Sequence, residues 1–149
     1  MTDVNFYQLG AKPLDAVLPK LLEKAVAAGF RAIVRTGNRN LLIHLDAVLW
    51  AYEATSFLPH ALDGDTAALQ PVLLTTGSDT PNNADIVVVI DGVLPDDLGK
   101  FKRTLYLFDG GDEAALALAR GHWKELRSRD DVTPVYWRAT TGGGWEKAA

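Results

Sequence analysis

Asp85-Ile86-Val87-Val88-Val89-Ile90-Asp91 is the stretch on which the fold turns. Five consecutive β-branched residues between two aspartates are too short for a helix and do not alternate as a half-exposed strand would. A run apolar on both sides is the pattern of a central strand in a parallel sheet covered on both faces. Upstream, Val72 to Thr75 reads as another strand, joined to the first by the turn-rich segment Thr76 to Ala84. Before it, Ser56 to Gln70 holds Pro59 and Gly64 without clear periodicity and reads as a long ordered loop. Earlier still, Val4 to Leu9 reads as a strand. Leu14, Val17, Leu18, Leu21, Leu22, Ala25 and Val26 form a helical stripe with Gly29 at its C-terminal cap. Arg31 to Arg35 is a second strand, and Leu41, Leu45, Val48 and Leu49 mark a second helix ending near Trp50. Downstream, Arg103 to Phe108 is a strand, Asp112 caps a helix running to Ser128, and Val132 to Trp137 is the last strand.

Strands alternating with helices imply right-handed crossovers and a sheet covered on both faces. The expectation is one domain over residues 1–149: an α/β three-layer α/β/α sandwich with a mostly parallel or mixed sheet. The tail, from about 139, reads as loose around Gly142-Gly143-Gly144. Composition agrees, since 149 residues at 48% apolar and 23% charged suit one globular core. No apolar run approaches the roughly 18 residues of a membrane span. The N-terminus lacks a basic segment followed by an apolar one, and there are no cysteines. A cytoplasmic protein is expected. A net charge of −4 disfavours direct nucleic-acid binding through a general basic field.

The search for chemistry returns little. The first strand-to-helix turn, Gly10-Ala11-Lys12-Pro13, carries neither a GxGxxG fingerprint nor a GxxxxGK[ST] loop, so the fold is Rossmann-like without a nucleotide-binding signature. Thr75-Thr76-Gly77-Ser78 is a turn. His44, His60 and His122 share no metal-ligand spacing and read as surface or capping residues. The pairs Asp96-Asp97, Asp112-Glu113 and Asp130-Asp131 fall in loops or at helix starts, where solvation and capping account for them. Ser56 and Ser78 lack a GxSxG context. No catalytic residue, metal site or cofactor is expected.

The last helix carries more information. At about 100° per residue, Leu126, Ala119, Trp123, Leu116, Arg127, Arg120 and Lys124 follow one another around its circumference. Trp123 borders an apolar side on one hand and the bases Arg120, Lys124 and Arg127 on the other. That surface suits an acidic peptide with an apolar end, gripped by guanidinium and stacked on indole. An ordinary amphipathic helix whose tryptophan completes the core and whose bases are solvated has the same pattern.

Four stretches together resemble the chi subunit of bacterial DNA polymerase III: Leu45-Asp46-Ala47-Val48-Leu49-Trp50, Ser56-Phe57-Leu58-Pro59-His60, Gln70-Pro71-Val72 and Ala119-Arg120-Gly121-His122-Trp123-Lys124. The resemblance implies a noncatalytic clamp-loader accessory that captures the acidic C-terminal tail of single-stranded DNA-binding protein. It implies a tail pocket of Arg120, Trp123 and Lys124 beside Arg127, with Trp50 as the other wall. It also implies a second surface for the psi subunit, or for another clamp-loader or helicase subunit, around Phe57, Leu58 and Pro59. Two rival readings stand beside it. A small α/β enzyme or nucleotide-binding domain predicts a pocket at the C-terminal ends of the strands. An adaptor serving a different complex predicts an exposed Phe57 and an inward-turned Trp123.

Overall fold

The structure is a computed structural model and describes residues 2–53, 60–62, 70–77, 80, 82–142 and 144–148. The order of elements is β1 (Thr2–Leu9), α1 (Leu14–Ala27), β2 (Ala32–Arg35), α2 (Arg39–Glu53), β3 (His60–Leu62), β4 (Val72–Thr75), β5 (Ile86–Val89), β6 (Arg103–Asp109), α3 (Glu113–Arg127), β7 (Val132–Ala139) and β8 (Trp145–Lys147), with a short 3-10 helix at Leu98–Lys100. It is an α/β protein whose registered strand pairs are parallel except for the antiparallel β7–β8. All four residues of β5 are buried, as a run apolar on both faces requires.

The described residues divide into two compact units, Asp15–Val88 and the pair of segments Met1–Leu14 and Val89–Ala149. In the first, the strand order is β3-β4-β2-β5, with Ala32 opposite Val72 and His60 opposite the same residue from the other side. Its helices bury Leu18, Leu22 and Ala25 from α1 and Leu42, Leu45 and Leu49 from α2. The buried stripe of α2 thus runs through Leu42, while Leu41 and Val48 lie at its margin. Arg31 and Asn82 lace the connection before β5 to the sheet: Arg31 Nε donates to the Asn82 carbonyl at 2.7 Å, and Asn82 Nδ2 donates to the carbonyls of Ala32 and Gln70.

In the second unit the order is β6-β1-β7-β8. β1 lies between β6 and β7, with Phe6 opposite both Tyr106 and Tyr136. Period-2 alternation puts Val4, Phe6, Tyr106, Phe108, Val132 and Tyr136 into one core, joined by Ala119 and Leu126 of α3.

Two local readings change. His60-Ala61-Leu62, inside the segment read as a loop, is a strand; it takes its hydrogen bonds from β4 and has no pattern of its own. Trp145–Lys147 pairs with β7, and Trp145 meets the Tyr7 ring edge-on at 5.0 Å, so the chain around 145–147 is ordered by an aromatic contact that Gly142–Gly144 conceals.

Candidate functional site

Asp112 starts α3 as the sequence predicts, its Oδ1 accepting from the backbone N–H groups of Ala114 and Ala115 at 3.0 and 3.2 Å. Ala119 and Leu126, seven residues apart, are fully buried and fix which side of the helix faces the sheet. Trp123 follows from that orientation. Its indole meets Phe6 at 5.6 Å and Tyr136 at 5.8 Å, both edge-to-face, and the residue is partly buried. It is anchored in the core and still reaches the surface.

Beside it, Arg120, Lys124 and Arg127 are exposed. Among the described residues none of the three has an ion-pair partner. The contrast with Arg129 is direct, since that guanidinium is held twice by Asp131, at 2.8 and 2.5 Å. That pairing draws the Asp131 carboxyl below its ordinary value. The ridge on α3 therefore presents three exposed cations, spaced about one helical turn apart along the axis, next to a fixed indole.

Each of the three histidines lies close to a polar side chain. Tyr106, buried, has its hydroxyl pushed up to about 12, first by burial and then by Asp91. It lies 2.8 Å from Nδ1 of His122, which burial holds below its ordinary value against the pull of Glu125. A protonated phenol and a neutral imidazole let the O–H donate to Nδ1. His44 Nε2 meets Asp15 at 2.6 Å on the surface. His60 is buried, its Nε2 3.5 Å from Asp46.

Trp50 lies on α2 in the other unit. It is 59% exposed, and its ring tilts against His60 at 4.8 Å. Ile43, seven residues earlier on the same helix, is also exposed. Phe57, Leu58 and Pro59 lie outside the described residues.

A cavity of about 440 Å3 sits at the C-terminal ends of β1 and β6, lined by Leu9, Gly10, Pro13, Leu107 and Phe108 with Lys12 and Asp109 at its ionisable positions. This is where an α/β enzyme would place a ligand. The lining offers no nucleophile paired with a base, and among the described residues no group of three or more metal-ligating side chains occurs. No helix among the described residues is long and apolar enough to cross a membrane.

Residues 1–132 match the family described as DNA polymerase III chi subunit, HolC. The chain is 31% identical over 107 residues to the probable DNA polymerase III subunit chi of Rickettsia prowazekii, covering 64% of this chain and 62% of that protein. It is 28% identical over 110 residues to DNA polymerase III subunit chi of Pseudomonas aeruginosa, covering 72% and 77%. The chain spans less than two thirds of the Rickettsia relative's length. The fold is α/β, and α3 carries a ridge of exposed cations beside a partly buried indole. The chain belongs to the DNA polymerase III chi subunit family.

Sequence reasoning groups the four α3 residues because helical periodicity displays them. It missed Tyr136 and Gln8, whose hydroxyl-to-amide hydrogen bond of 2.5 Å joins residues far apart in the chain. Alternation in Pro134-Val135-Tyr136-Trp137-Arg138 is the signal that could have placed Tyr136 and Arg138 on one face.

Proposed function

We propose that this chain is a noncatalytic replication adaptor of the DNA polymerase III holoenzyme. It binds the acidic C-terminal tail of single-stranded DNA-binding protein through α3 and links it to the clamp-loader complex through a second subunit. The observation that carries the reading is the ridge of Arg120, Lys124 and Arg127, exposed and without ion-pair partners among the described residues, beside an indole locked by Phe6 and Tyr136. A cation ridge alone attracts any polyanion; the indole adds selectivity for a peptide with an aromatic end.

Trp50, offered by the resemblance as the second wall of the tail pocket, has its ring against His60, the last residue of the Ser56–His60 motif. That contact supports assigning Trp50, with exposed Ile43, to the surface for the second subunit around Phe57. Two exposed apolar side chains on one helix suit a subunit contact better than capture of an acidic tail.

The test is a titration with an acidic peptide ending in Pro-Phe, at low and moderate salt. Wild type should bind saturably and more weakly as salt rises, and Arg120→Ala or Lys124→Ala should each weaken binding by roughly tenfold. Both positions are exposed, so loss of binding will not reflect unfolding. Failure of the folded wild type to bind at low salt overturns the tail-capture reading.

A further inference from the structure

We propose that Arg138 on β7 works with Arg120 on α3 as a two-guanidinium clamp for the terminal carboxylate of the bound peptide, and that Glu146 on β8 holds Arg138 until the peptide displaces it. The inference rests on the tail-binding reading above.

Alternation along β7 puts Arg138 on the same face as Tyr136, the face that α3 covers. Tyr136 is fixed there by Trp123 on one side and by its hydrogen bond to Gln8 Oε1 on the other, and Gln8 is the register partner of Arg138 on β1. Arg138 therefore shares its row of the sheet with Gln8 and Phe108, one step beyond Tyr136 on the same face. Arg120 sits on α3 one turn N-terminal to Trp123, the residue whose ring meets Tyr136. The Tyr136 hydroxyl senses both cations: burial raises it, and Arg120 and then Arg138 pull it back.

The present counter-ion of Arg138 is weak. Glu146 faces it across the antiparallel β7–β8 pair at 3.9 Å, and both side chains are more than half exposed. An exposed pair at that distance contributes little and exchanges readily. A C-terminal carboxylate, with two oxygens to offer and a neighbouring second guanidinium to receive it, is the stronger partner. The arrangement also orients the peptide. Its terminus lies at Arg138 and Arg120, and its upstream acidic side chains run along α3 past Lys124 toward Arg127, about 6 Å per helical step of four residues. Arg138 and Glu146 both fall beyond residue 132, where the family match ends.

The experiment compares one acidic Pro-Phe peptide with a free C-terminus and the same peptide amidated, titrated against wild type, Arg138→Ala, Arg138→Gln and Glu146→Gln. Amidation should weaken wild-type binding by about tenfold. Both Arg138 variants should bind the free acid several-fold more weakly and should distinguish the two peptides less than wild type does, since Arg120 remains. Glu146→Gln should tighten binding of the free acid by roughly twofold. If the wild type binds but the Arg138 variants discriminate as well as it does, this inference fails and tail capture stands. If the folded wild type binds neither peptide, both fall.

Discussion

Trp50 and Trp123 are both tryptophans on amphipathic helices, yet their surroundings oppose each other. Trp123 is held edge-on by Phe6 and Tyr136 and flanked by exposed cations, whereas Trp50 is mostly exposed, leans on His60 and has no basic residue in the last turn of its helix. An indole fixed by the core offers a rigid wall at little entropic cost, and cations beside it select a charged ligand. An exposed indole without cations beside it in the last turn selects surface that another protein would otherwise leave wet. On the proposed function, the same residue type serves two kinds of partner.

The largest effect that could break this comparison is on stability. Trp123→Ala removes a ring from the core of its unit, and urea unfolding should show a loss of about 3 kcal/mol. A loss below about 1 kcal/mol would mean that the ring does not serve the core. Gly121, two residues earlier, has open space where a Cβ would stand. Gly121→Ala should therefore stabilise α3 by about 1 kcal/mol without disturbing the ridge. A destabilised variant would show that the helix needs its glycine.

A smaller effect concerns pH. The folded-state value of His122 lies below its ordinary 6.5, so the fold favours the neutral ring. Its contribution is complete above the ordinary value and is lost as pH falls through the folded one. Urea midpoints measured between about pH 7.5 and 5.5 should fall more for wild type than for His122→Gln. Equal falls would assign the acid sensitivity elsewhere. The smallest effect belongs to Trp50→Ala, which should leave stability within about 0.5 kcal/mol of wild type. It should also leave Pro-Phe peptide affinity unchanged, whereas lost affinity would return Trp50 to the tail pocket.

What the sequence displayed follows from how locally each feature is encoded. β5 and α3 were legible because a β-branched run and a helical stripe are properties of adjacent residues, and the Asp112 cap is a property of four. β3 was not, because His60-Ala61-Leu62 becomes a strand only through β4. The ridge on α3 could be read; what fixes its indole could not, since Phe6, Trp123 and Tyr136 meet only in the folded unit. The Tyr106–His122 bond was hidden for the same reason. Arg138 escaped because the glycines after it suggest a loose tail, although Trp145 reaches back to Tyr7.

The placement of β1 between β6 and β7 has a consequence for how the chain matures. Asp3 lies opposite Arg103 on one side and Thr133 on the other, so β1 has both its neighbours about a hundred residues or more further along the chain. Residues Asp15–Val88 form a compact unit from one continuous stretch. On the ribosome that stretch can consolidate while Thr2–Leu9 waits, its apolar residues unpaired until β6 and β7 emerge. The cation ridge, built on the late helix α3, is completed in the same closing step.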